Sequence, residues 1–161
     1  LTLDLFVAQK FGDVMEEFDR LDSRADHSSM GTIIAILFVI RLFLPYRNGA
    51  PALPSSMPDW QVKLAGLVHF LLYFFIGFLI LSGVATAINA TDPINLFGAI
   101  DITIGQSDGA TFDFIRQFHE FATIAVIALI VVHVLAAFYH LFMTSDKTTQ
   151  KMAKFWKSEN P

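Results

Sequence analysis

His119 and His133 stand fourteen residues apart within one apolar stretch, Phe118 to Met143. Imidazole can bind a metal through one ring nitrogen, and it exchanges a proton near neutral pH. At about 100° and 1.5 Å per residue, fourteen steps of helix end about 40° short of four turns and rise about 21 Å. The two rings therefore share a face at two depths. Ionisable groups in lipid are costly, and those that occur face a bundle interior or a cavity and mark function. Two imidazoles so placed suit two haem irons at two depths of one membrane.

A lone membrane histidine is more often a hydrogen-bonded packing residue, so the pair must find partners at matching depths on other elements. The composition supplies such elements. The chain is 54% hydrophobic with 17 Phe, too apolar for a soluble domain of this length. Three runs can each cross a bilayer: Ile33 to Leu44 with small residues upstream from Ser28, Leu64 to Ile88, and Phe118 to Met143. Cysteine is absent. That excludes disulfides, thiolate metal sites and haem attached through a Cys-x-x-Cys-His motif. Any haem is held by coordination and packing.

The predicted organisation is one all-α integral membrane bundle over residues 1–161. It has three full transmembrane helices, at 27–45, 63–88 and 118–143, plus the remainder of a first helix at 1–11. An acidic loop covers 12–26, a second loop 46–62, a third 89–117 and a basic tail 144–161. Residues 1–11 carry no basic leader or small-residue cleavage site and do not read as a signal peptide. Loop charge orients the bundle. Gly12 to Asp26 and Asn89 to Gln117 together hold ten acids against three arginines. Arg41, Arg47 and Lys63, and Lys147, Lys151, Lys154 and Lys157 of the tail, fall on the opposite side. Basic residues favour the cytoplasm, so the acidic loops face outward and the C-terminus is cytoplasmic. Pro45, Pro51, Pro54 and Pro58 mark the inner loop as extended. Phe155 and Trp156 suit the lipid headgroups.

With that orientation the histidines sort by depth. His27 and His119 both stand at the outer ends of helices that run inward, so they share a level, and a haem iron takes one imidazole on each axial side. Ser28, Ser29 and Gly31 beside His27 are small enough to admit a flat macrocycle or a neighbouring helix. His133 lies about 15 Å from the inner end of its helix and His69 about 12 Å from the inner end of its own, so these two can share an inner iron. His140, about 10 Å nearer the cytoplasm than His133, is too shallow for that iron but can donate to a carbonyl or a propionate. Arg41 can pair with a propionate, though a terminal arginine more commonly reaches lipid phosphate.

These residues resemble the bacterial cytochrome b561 family of four-helix, di-haem membrane proteins. The matching stretches are His27-Ser-Ser-Met-Gly31, Arg41, His69-Phe-Leu-Leu-Tyr73 with Gly83, Phe97-Gly98, Phe118-His119-Glu120, His133 and His140. The resemblance covers about His27 to Trp156, and related cytochrome subunits of hydrogenases and dehydrogenases share much of it. It implies two haems b. His27 and His119 match the outer ligands, and His133 matches one inner ligand. The family's other inner ligand lies early on its first helix, upstream of Leu1; either such a segment supplies it, or His69 replaces it, or the inner haem is lost. His69 and His140 match histidines near a quinone pocket, where imidazole can both donate to a carbonyl and accept a quinol proton. Glu120 is expected to orient His119, since ligating histidines usually donate their other ring N–H to an oxygen.

The function so implied is one-electron transfer across the bacterial inner membrane between an outer-face redox partner and quinone, in contact with membrane lipid. No nucleic-acid partner is expected. Two other readings share these residues. One is a superoxide:quinone oxidoreductase, the form in which the chain would be an enzyme. The acidic outer loops oppose it, because superoxide is an anion and gains from a positive funnel. They suit instead a basic c-type cytochrome or a larger redox complex. The other reading is an anchor subunit, with or without haem, of an energy-converting complex.

Overall fold

The computed structural model describes residues 17–48, 57–104, 108–140 and 142. Three long helices run through them: α1 (Glu17–Asn48), α2 (Asp59–Ile88) and α3 (Gly109–Tyr139). Between α2 and α3 lies a small antiparallel ribbon, β1 (Asn95–Leu96) against β2 (Ile100–Asp101). Each helix is long and apolar enough to cross a membrane, α1 over Leu21–Leu44. The expected remainder of a first helix at 1–11, the stretch bearing Pro51 and Pro54, and the basic tail with Phe155 and Trp156 lie outside the described residues.

Two helices start earlier than hydropathy predicts. α1 is already helical at Glu17, so His27 sits within the helix rather than at its end. Residues 17–26 of the expected acidic loop are thus helical. α3 begins at Gly109, nine residues before Phe118. Its N-cap is Asp108, whose Oδ1 accepts from the Thr111 backbone N–H at 2.8 Å. The Thr111 side chain and then its backbone N–H hold the Asp108 carboxyl below the usual carboxylate range. Apolar periodicity marks only the part of a helix that meets lipid; the polar turns at its end need the cap to be recognised.

α2 and α3 form the tightest pairing, and α1 leans more lightly on α2. At the α2–α3 contact Leu79 packs on Ala122 and Val126, flanked by Phe75, Ile76, Phe78 and Ile130. Ala122 brings the backbones close, as small residues do between membrane helices. A second cluster, Ala87, Ala90 and Ile94 with Ile102 and Phe112, seats the ribbon on the ends of α2 and α3. These clusters contain all six buried apolar residues among those described, while Ile36, Leu37, Phe43, Phe70, Leu81, Ile124 and Leu135 are exposed. Full burial of one such side chain is worth about 1.5–3 kcal/mol, so this surface requires lipid. Hydroxyls on the spans are satisfied within their own helices: Thr32 donates to Ser28 O, Thr86 to Ser82 O and Thr123 to His119 O, each at 2.8 Å.

Candidate functional site

α1 and α3 direct His27 and His119 at each other. The ring centroids are 6.1 Å apart with planes at 76°, although the two backbones hardly approach. The imidazoles therefore reach across a gap. Two metal–nitrogen bonds of about 2 Å each, with the ring half-widths, set two axial imidazoles roughly 6 Å apart across an iron. The observed spacing fits. A Cβ added at Gly31, one turn beyond His27, would meet nothing within 4 Å.

His119 is held through one ring nitrogen. Its Nδ1 lies 3.2 Å from Leu79 O and 3.2 Å from Ser82 Oγ. A carbonyl oxygen only accepts, so Nδ1 carries the proton and Nε2 keeps its lone pair. Glu120, expected to orient this ring, is engaged by Arg116 Nε at 2.8 Å instead. The ring is also seated against Gly83: a Cβ there would stand 2.9 Å from His119 Cε1. Leu79 and Ser82 went unnamed because they lie 40 and 37 residues away along the chain. Gly83 was marked only by its place in the family pattern, with no physical reason.

The ribbon fastens this end of the bundle. Phe97 N–H donates to Ser29 Oγ at 2.8 Å, and Ser29 Oγ donates to Ala25 O at 2.7 Å. Phe97 has φ +53° and Gly98 φ +70°. The left-handed region is uncommon for a residue with a side chain, and the Ser29 bond helps hold Phe97 there. Arg24 and Asp92 add an ion pair at 3.3 Å. Ser29 thus acts as a hydrogen-bonding anchor two residues beyond His27.

α2 and α3 bring the other two histidines together. The rings of His69 and His133 are 5.3 Å apart at 57°. This spacing is shorter than the roughly 6 Å that an intervening iron sets. His140 follows at the end of α3, its backbone N–H bonded to Ala136 O and Ala137 O and its ring edge-on to Tyr139 at 5.7 Å.

Three helices long and apolar enough to cross a membrane, with two pairs of facing histidines, fit a membrane b-type cytochrome. Residues 3–154 match the family described as prokaryotic cytochrome b561, and the chain belongs to that family. It is similar to cytochrome b561 homolog 1 of Escherichia coli (strain K12), with 26% identity over 129 residues, covering 80% of this chain and 73% of that protein. The chain is accordingly an integral membrane protein of electron transport, and its family implies haem b.

Proposed function

We propose that the chain carries single electrons across a bacterial inner membrane between a redox partner at the outer face and the quinone pool. The ribbon end is the outer end, and the C-terminus is cytoplasmic. A b-type haem supplies reversible one-electron chemistry; the chain supplies ligands, spacing and a low dielectric. His27 and His119 hold the outer iron. His133 would hold a second, inner iron.

His69 stands beside His133 as the group that donates to a quinone carbonyl and accepts the quinol proton, with His140 as a further proton carrier towards the cytoplasm. Arg41 supports the charge of a propionate at this depth. The acidic residues of the outer face suit a basic c-type cytochrome or a cationic surface of a larger redox complex. The observation that carries the reading is the 6.1 Å facing of His27 and His119, with Nδ1 of His119 committed as a donor to Leu79 O.

The test is stopped-flow reduction of the purified, haem-loaded protein by a short-chain quinol. Wild-type haem is expected to reduce, and His69→Ala to keep its haem content while reducing about a hundredfold more slowly, as loss of acid–base help implies. Haem that quinol cannot reduce would overturn the quinone link. Reduction by superoxide faster than by quinol would turn the reading to the superoxide oxidoreductase.

A further inference from the structure

Ser82 is buried, and its hydroxyl sits between two groups that bear on His119. Oγ donates to Leu79 O at 3.1 Å and lies 3.2 Å from His119 Nδ1. Because the Ser82 proton goes to Leu79 O, Oγ meets the imidazole N–H as an acceptor. Nδ1–H is therefore shared between Leu79 O and Ser82 Oγ, and the two acceptors are tied to each other. Two anchored acceptors fix the rotation of the ring about its Cβ–Cγ bond, which one would leave looser. The notch at Gly83, where a Cβ would come within 2.9 Å of Cε1, closes the ring in on the same stretch of α2.

From this geometry we propose that Ser82 is a positioning residue for the outer haem: it sets the plane of the His119 imidazole and, by accepting from Nδ1–H, makes Nε2 a stronger electron donor to iron. The inference rests on the proposal that His119 is an axial ligand. An acceptor on the distal nitrogen raises ligand basicity, and outer-shell partners of this kind are typically worth 10–100-fold in metal affinity or activity. A more basic ligand favours the ferric state. Ser82 thus holds the potential of this haem down, and holds the two imidazole planes near their observed 76°.

The experiment is a redox titration of full-length, haem-loaded Ser82→Ala, with low-temperature electron paramagnetic resonance of the oxidised protein. The resonance of a low-spin ferric haem depends on the angle between its axial imidazole planes. The expected result is retained haem and an outer-haem ferric-to-ferrous ratio about tenfold lower at a fixed poise, which is about 59 mV for one electron. The resonance should shift, and Ser82→Thr, which restores the hydroxyl, should bring both back. Ser82→Cys, a weaker acceptor of nearly the same size, should fall between, and it decides the matter should the alanine or threonine variant not fold. An unchanged potential and resonance in Ser82→Ala or Ser82→Cys, with haem bound, would overturn the role of Ser82 and leave the ligand assignment standing. Retention of the outer haem in His119→Ala would instead overturn the assignment beneath it.

Discussion

The two histidine pairs are held in different ways. His27 and His119 face each other from helices whose backbones hardly meet, at 6.1 Å. His119 is bonded at Nδ1 and seated in a glycine notch, and His27 lies two residues from the ribbon's anchor at Ser29. His69 and His133 project from the two most closely packed helices, at 5.3 Å. Rigid support and iron-sized spacing are what a redox ligand needs, because a ligand that shifts with oxidation state adds to the cost of each electron transfer. The second pair stands closer than that spacing; in the proposed function His133 would serve as a ligand and His69 alone would exchange protons with a mobile molecule.

The largest effect that would sharpen this contrast is expected from Gly83→Ala. The new methyl must displace the His119 ring, and overpacking of this kind typically costs about 1–3 kcal/mol. The outer-haem spectrum should change while reduction by quinol at the other end keeps its rate. Gly77→Ala is the control: its Cβ would meet Phe38 at an ordinary 3.7 Å and should alter neither haem. Equal disturbance by both variants would remove the special status of the notch.

A smaller effect is expected from Ser29→Ala, which deletes the acceptor of Phe97 N–H. A hydrogen bond of this kind contributes about 0.5–1.5 kcal/mol net, so amide exchange at Phe97 should quicken severalfold. Arg24→Ala should do less, since partly exposed ion pairs contribute about 0–1 kcal/mol. Disturbance of the His69–His133 end by either variant would show that the two ends are not independently supported.

The smallest effect concerns the first turn of α3. The Asp108 carboxyl is held below its ordinary value in the folded protein. Its contribution to stability is therefore fully present above the unfolded value and is lost as pH falls through the lower, folded one. The protection factor of the Thr111 amide, its exchange relative to an unstructured amide at the same pH, should fall on acidification across that window, and Asp108→Asn, which keeps an acceptor but not the charge, should flatten the dependence.

Much of this was legible in the residues because the membrane simplifies the reading. Long apolar runs must be helices in lipid, so the spans and the relative depths of His27, His119, His69 and His133 followed from hydropathy, charge and helical rise. The partners of His119 did not. Leu79 O is a backbone atom, which no side-chain pattern marks, and Ser82 reads along the chain as an ordinary small residue of a membrane helix. Glu120 looked the better partner because it is the nearest carboxylate in sequence, but Arg116 one turn away takes it. The early start of α1 was hidden for a related reason. Asp19, Asp22 and Asp26 read along the chain as loop, whereas the structure carries the helix through them. The ribbon was missed because its two-residue strands offer no alternation to read, and only Phe97-Gly98 hinted at a turn.

The central claim is that His27 and His119 together hold a haem b. A pyridine haemochrome assay on purified wild type, His27→Ala and His119→Ala tests it most directly. Wild type is expected to carry two haems b per chain and each variant one fewer, with the remaining haem still reduced by quinol. Equal haem content in wild type and His119→Ala would contradict the claim, as would a wild-type chain with no haem b.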